Sequence, residues 1–295
     1  MQTSDTGGFT LDTPLILGMM RLHDHPQLTR TARLADWIAE RLDEGLNVFD
    51  HADIYGAGEC EQLFGAALRA SPALAGRVRV ITKAGIVPAD QDCSTWRVKH
   101  YRAEAGYLQN AIDKALDSLA VEQIDTFLIH RPDPLMQAED VVRILEASVS
   151  AGKVRQIGVS NFLPEQWRWL ARNTALPLAC NQSQLSLAHT DPLFDGTLEA
   201  HLGDGIRWLA WSPLGGGGLT SHIPADLRNQ ASEETGLDDT ALAIAWLHQI
   251  PGAPVPVLGS LNRHRIHSAL QGVRSQLPRP LWYRLLESVR KSAVA

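Results

Sequence analysis

The chain has 295 residues, 44% hydrophobic and 20% charged, which is ordinary for a globular protein and enough to bury a sizeable core. Its 27 lysines and arginines against 33 aspartates and glutamates leave a net charge of −6 with no basic stripe, which argues against nucleic acid as a partner. Three scattered cysteines, Cys60, Cys93 and Cys180, without C-x-x-C spacing argue against a disulfide framework, and no apolar run is long enough to span a membrane. The polar start M-Q-T-S-D-T-G-G has no signal-like apolar run, so the expected location is cytoplasmic.

The opening G-G-F-T-L-D-T-P predicts a small hairpin or lid on the floor of the fold. After it, short apolar runs alternate with amphipathic segments. The predicted strands are Leu15–Met20, Asn47–Phe49, Val78–Thr82, Thr126–Ile129, Gln156–Val159, Ala179–Gln182, Arg207–Trp211 and Val255–Leu258. Between the first two, T-A-R-L-A-D-W-I-A-E-R-L-D-E-G places Leu34, Trp37, Ile38 and Leu42 on one helical face and ends in glycine. A-E-D-V-V-R-I-L-E-A-S-V-S-A-G has the same character, and D-D-T-A-L-A-I-A-W-L-H-Q offers an acidic cap before an apolar helix. Arg279–Val294, with no strand after it, predicts an extra helix packed outside.

Eight β/α pairs in about 250 residues fit one closed (β/α)8 TIM barrel. A doubly wound sheet usually shows a glycine fingerprint after its first strand, whereas here that strand runs into M-M-R-L-H-D-H-P. With no linker or composition break, residues 1–295 read as a single domain. The fold class expected is therefore α/β, a TIM barrel with an N-terminal hairpin and a C-terminal extra helix.

Barrel enzymes place their chemistry at the C-terminal rim of the strands. Four polar residues fall there. Asp50 and Tyr55 lie in N-V-F-D-H-A-D-I-Y-G, Lys83 closes V-R-V-I-T-K, and His130 closes I-D-T-F-L-I-H. Any one of them is commonplace; in order on consecutive strands they make a candidate acid–base site. Tyr55 is the natural proton donor, with a free phenol pKa of about 10. A cation about 4 Å away at an effective dielectric near 20 favours phenolate by roughly 4 kcal/mol, on the order of 3 pKa units. Lys83 is positioned in sequence to supply that field, Asp50 to anchor Lys83, and His130 to orient a carbonyl.

With these four residues the chain resembles the aldo-keto reductase superfamily over nearly its whole length. G-V-S-N-F, N-Q-S-Q-L and A-W-S-P-L-G are similar to the family's fifth, sixth and seventh strand segments. D-H-A-D-I-Y-G and P-V-L-G-S are closest to a bacterial branch of general oxidoreductases without an assigned substrate. The resemblance implies NAD(P)H-dependent reduction of an aldehyde or ketone, a small-molecule carbonyl substrate, with Asp50, Tyr55, Lys83 and His130 catalytic.

It also implies cofactor contacts. Ser160, Asn161 and Gln182 match the groups that hold the nicotinamide carboxamide, and Trp211 the ring that stacks on it; Met20 and Asp50 border the same position. Ser160 and Asn161 also read as a helix cap before P-E-Q-W. Ser212, Pro213, Leu214, Gly215 and Gly216, in a glycine run reaching Gly218, match the loop over the pyrophosphate. Gly259, Ser260, Asn262 and Arg265 match the segment at the adenosine end, although Gly259 stands where the family often has lysine. NADPH is the expected cofactor, with NADH the alternative.

Met20, His51 and Trp96 are the expected substrate-pocket residues, His51 either facing the pocket or packing beneath it. One alternative is an NADPH-binding regulatory or sensor subunit with slow turnover. Another is a metal-dependent barrel hydrolase using His23 and His25, but the later strand ends carry Ser160, Asn161, Gln182 and Ser260, poor metal ligands, so no metal is expected. No long apolar surface stripe stands out, so the sequence leaves the oligomeric state open.

Overall fold

The computed structural model describes residues 11, 13–217 and 222–291. The predicted N-terminal hairpin falls almost wholly outside them. The strands are β1 (Ile16–Gly18), β2 (Val48–Asp50), β3 (Arg79–Ala84), β4 (Ile86–Val87), β5 (His100–Tyr101), β6 (Ile124–Ile129), β7 (Val154–Ser160), β8 (Leu178–Gln184), β9 (Arg207–Trp211) and β10 (Val255–Leu258). Eight of them close a parallel barrel in the order β1-β10-β9-β8-β7-β6-β3-β2, with helices between strands, and β4 and β5 form a separate antiparallel pair. The fold is the expected (β/α)8 barrel. The small β4–β5 hairpin after the third barrel strand is an addition to it.

The chain divides into two compact units. In the first, which includes Leu22–Ala179, β2, β3, β6 and β7 pair in parallel, with Asp50 opposite Ile81 and Lys83 opposite Leu128. The strands are buried along most of their length, as a sheet covered on both faces requires. The helix Thr31–Asp43 buries Leu34, Trp37, Ile38 and Leu42, the face set by the sequence periodicity. At the N-terminal ends, Asp125 on β6 accepts from the Val80 amide at 2.9 Å, with Arg79 at 3.6 Å and Arg155 at 3.4 Å on the flanking strands. One buried carboxylate thereby ties three neighbouring strands.

The second unit, Pro14–Arg21 with Cys180 onward, pairs β1 with β10, β10 with β9 and β9 with β8. Its core gathers Trp208, Trp246, Leu247, Leu281 and Leu285. Asp238 caps the helix Asp239–His248 by accepting from the Ala241 amide at 2.8 Å, as its sequence suggested. The extra C-terminal helix is present as Arg279–Arg290.

Candidate active site

Strand ends deliver the four rim residues, all within the first unit. Asp50 is the last residue of β2 and Lys83 the last but one of β3. His130 follows β6 directly, its amide donating to the Ala84 carbonyl at 2.8 Å. Tyr55 opens a tight turn, Tyr55–Gly58, in which Gly56, Ala57 and Gly58 all have positive φ. A left-handed run of this kind is costly for Ala57 and reverses the chain within one turn.

Lys83 and Asp50 are almost fully buried. Lys83 Nζ donates to both Asp50 carboxylate oxygens at 2.9 and 2.8 Å and to the His51 carbonyl at 2.6 Å, and it also shares a side-chain hydrogen bond with Tyr55. The amine stands 5.0 Å from the centre of the Tyr55 ring. That ring meets His130 edge-on, with centroids 6.4 Å apart at 82°. The four expected residues are thus brought together.

Their charge states follow from burial against pairing. Burial disfavours the Lys83 ammonium, but Asp50 and Tyr55 outweigh it and hold its pKa above the usual lysine value. For Tyr55 the balance goes the other way: burial raises the phenol more than Lys83 lowers it, and Asp50 opposes Lys83. Lys83 lowers the phenol's pKa, the direction expected of its field, but burial outweighs it and the phenol keeps its proton at neutral pH. Burial, with Lys83, Arg131 and Lys99 nearby, holds His130 well below the usual histidine pKa, so its ring is neutral. Its Nδ1 is buried without a hydrogen-bond partner. The site offers a stored phenolic proton over a buried ammonium, beside a neutral imidazole.

Ser160 ends β7, and Asn161 follows with φ 61°, a left-handed conformation rare outside glycine. Asn161 Nδ2 donates to Ser160 Oγ at 2.8 Å and to the His130 carbonyl at 3.3 Å. Neither residue caps the next helix. Pro164–Ala171 is capped at Leu163, whose amide donates to Gln166 Oε1 at 2.8 Å. The capping explanation for Ser160 and Asn161 is thereby removed.

Two of the expected pocket residues, His51 and Trp96, lie in contrasting surroundings. His51 has no exposed surface and turns its ring onto Phe64 at 4.7 Å, so it packs beneath the rim. Neighbouring strand residues face opposite ways, and Asp50 has taken the inward position. Trp96 is 85% exposed, projecting from a loop that Asp92 organises through Ser94 and the Val98 amide. His23, of the hydrolase alternative, faces Glu59 at 3.4 Å. Among the described residues, no group of three or more His, Cys, Asp or Glu could hold a metal ion.

In the second unit, Gln182 is buried on β8 and Trp211, at the end of β9, is half-buried. Ser212, Gly215 and Gly216 have positive φ, and a Cβ at Gly216 would meet nothing within 4 Å. Pro213 and Leu214 complete this turn, whose Gly215 amide donates to the Ser212 carbonyl at 2.9 Å. Gly218 lies outside the described residues. Gly259 and Ser260 follow β10, and Asn262 caps the helix Arg263–Val273 by accepting from the Arg265 amide at 3.2 Å. Met20 is half exposed, in a 3-10 turn after β1 rather than in the strand.

A family model described as the aldo/keto reductase family matches residues 14–285. The chain belongs to the aldo/keto reductase family. It is an oxidoreductase by that membership. This aldo/keto reductase is 37% identical over 274 residues to a 6-dehydroglucose reductase of Agrobacterium fabrum, covering 92% of each chain. It is 34% identical over 284 residues to oxidoreductase YdhF of Escherichia coli, covering 95% of this chain and 93% of that one. A solved aldo/keto reductase from Klebsiella pneumoniae, in complex with NADP and acetate, superimposes with a TM-score of 0.75 at 23% identity, covering 92% of this chain and 89% of that one.

Sequence reasoning passed over a second layer of this aldo/keto reductase site. Asp53 accepts from the Tyr107 hydroxyl at 3.3 Å, and burial, with Glu61 adding to it, pushes its carboxyl up to about 7. Glu61 is buried against Thr82. The available signal is the second aspartate in D-H-A-D-I-Y and the two glutamates after Gly58, on the same stretch as Asp50 and Tyr55.

Proposed function

We propose that this enzyme uses NADPH to reduce an aldehyde or ketone to the alcohol, with Tyr55 as general acid. The observation that carries the reading is the Lys83 ammonium, fixed by Asp50 and the His51 carbonyl, lying against the ring of a protonated Tyr55. When bound, the nicotinamide supplies a hydride to the carbonyl carbon. The carbonyl oxygen then gains negative charge and needs a proton and fixed dipoles. Tyr55 gives up its phenolic proton to that oxygen, and Lys83 stabilises the phenolate left behind until it is reprotonated from solvent. His130, neutral, donates one N–H to the same oxygen and fixes its direction.

The chain's own residues fit such a cofactor. Asn161 and Ser160 present an amide and a hydroxyl next to His130, and the strain at Asn161 is of the kind held at functional sites. In the second unit Gln182 and Trp211 match, by the family resemblance, a carboxamide partner and a stacking ring. Positive φ at Ser212, Gly215, Gly216 and Gly217 is of the kind that lets backbone amides converge on an anion. The helix Arg263–Val273 starts with arginines at 263 and 265 and no acid in its first turn, which suits a phosphate and favours NADPH over NADH.

The relative named a 6-dehydroglucose reductase makes a polyhydroxylated aldehyde the first substrate to try. NADPH consumption with such sugars, simple aldehydes, ketones and quinones tests the reading directly. Tyr55→Phe is expected to lower kcat by roughly 10²–10⁴-fold with the fold intact. Undiminished turnover in that variant would sink the assignment.

A further inference from the structure

Tyr55 and Lys83 lie on different chain segments; besides the bonds that Lys83 Nζ makes to Asp50, the His51 carbonyl and Tyr55, two contacts away from the amine tie those segments together. On one side of Tyr55, the Asp53 amide donates to the Lys83 carbonyl at 3.0 Å, extending the β2–β3 pairing past the end of β2. On the other side, the Thr82 hydroxyl donates to Glu61 Oε1 at 2.6 Å. Thr82 directly precedes Lys83, and Glu61 lies in the first turn of the helix Glu59–Ala70 that the Tyr55 turn leads into. Between these two ties the backbone contacts are local, Tyr55 to Ala52 and Ala57 to Ile54, within the left-handed turn.

Both partners are 1% exposed. Stability gives little reason for an acid there, because a buried carboxyl is costly and an apolar side chain would pack at less expense. Alternation along β3 explains the use instead. Thr82 and Lys83 point to opposite faces, so the hydroxyl reaches the helix outside the barrel while the amine reaches Asp50 inside.

We infer that Glu61 and Thr82 are positioning residues that clamp the Tyr55 turn onto β3 and so set the distance between the Tyr55 phenol and the Lys83 amine. This rests on the reading of Tyr55 as the proton donor. The clamp touches neither substrate nor cofactor. Releasing it lets the turn drift relative to β3, and a misplacement on the order of 1 Å can cost a reaction about 10²-fold.

The test compares purified Thr82→Val, Thr82→Ser, Glu61→Leu and the Thr82→Val/Glu61→Leu double variant with Tyr55→Phe as control. Thr82→Val should lower kcat by roughly 10–100-fold and move the alkaline limb of the kcat–pH profile, with KM for NADPH changed less than about twofold. Thr82→Ser should restore kcat to within about threefold of wild type, and the double variant should be no slower than either single one, because both remove one contact. Wild-type kcat and pH profile in Thr82→Val, with only a lower melting temperature, would make the contact structural and overturn the inference; so would multiplying losses in the double variant. Should Thr82→Val not fold, Glu61→Leu, which removes a buried acid, carries the same prediction and the same refutation. If Tyr55→Phe keeps full activity, the catalytic reading itself fails. If it is inactive while both clamp variants are normal, only the clamp fails.

Discussion

Lys83 Nζ is bound to Asp50 through both carboxylate oxygens, at 2.9 and 2.8 Å, in a place where neither side chain has more than 2% of its surface exposed. Removing one partner leaves the other charge buried and unpaired, which typically costs about 3–5 kcal/mol. Asp50→Ala and Lys83→Met should each fall in that range by urea unfolding and be inactive. Asp50→Leu/Lys83→Met, replacing both charges by apolar groups, should recover most of the stability and none of the activity. Because pairing holds the lysine above its usual pKa, its stabilising effect is complete at neutral pH and is lost only as pH rises through that elevated value. A double variant as unstable as the single ones would contradict this account of the pair.

His51 presents the reverse case, a base kept neutral. Its ring is fully buried, with neither nitrogen hydrogen-bonded, and burial followed by the Lys83 charge lowers its pKa to about 3. The unfolded chain binds a proton near pH 6.5 and the folded one does not, so stability falls as pH drops from about 6.5 toward 3. At pH 5 the loss amounts to roughly 2 kcal/mol. His51→Leu removes it and should gain about that much more stability at pH 5 than at pH 8. Equal effects at the two pH values would show that the ring takes up protons in the native state.

Asp53 is an acid whose burial, with Glu61 nearby, raises its pKa to about 7. Between about pH 4 and 7 the unfolded state has lost this proton while the folded state retains it. Stability from this group is therefore full below pH 4 and declines as pH rises to about 7. Asn resembles the protonated form and keeps an acceptor for Tyr107. Asp53→Asn should be close to neutral at pH 4 and stabilising by roughly 1–3 kcal/mol at pH 8, where partial solvent access trims the full effect. Denaturant midpoints at the two pH values decide it, and a gain that does not depend on pH would refute the assignment.

These effects also mark where sequence stops being informative. The strands Arg207–Trp211 and Val255–Leu258 were readable to the residue because continuous apolar runs are bounded there by turn residues. Asp50, Lys83 and His130 were readable because a polar residue closing such a run must emerge at the rim. The β4–β5 pair was not, since two-residue strands carry no periodicity. Nor was the direction of the Tyr55 shift, a balance between burial and the field of Lys83 that only coordinates can weigh. His51 was ambiguous because the facing of a strand's last residues depends on where the strand ends. Glu61 and Thr82 meet across 21 positions and carry no local signature.

The C-terminal helix is held by two reciprocal contacts that make its docking testable. Trp246 Nε1 donates to the Trp282 carbonyl at 3.2 Å while Trp282 Nε1 donates to the Trp246 carbonyl at 2.8 Å, with the rings stacked 5.0 Å apart at 11°. Just before the helix, Gln249 receives the Leu277 amide at 2.9 Å and donates to the Leu277 carbonyl at 3.1 Å. The Gln249 side chain satisfies both backbone groups of Leu277, which is buried. Trp282→Phe keeps an aromatic ring but loses the donor, and should cost about 1 kcal/mol. Trp282→Ala also removes the stacked surface and should cost about 3–5 kcal/mol, with Gln249→Ala at roughly 1–3 kcal/mol. None of these side chains belongs to the proposed catalytic site, so the folded variants should turn over substrate at the wild-type rate. Equilibrium unfolding in urea measures the ranking, and a Trp282→Ala variant no less stable than Trp282→Phe would mean that the stack contributes nothing to holding the helix.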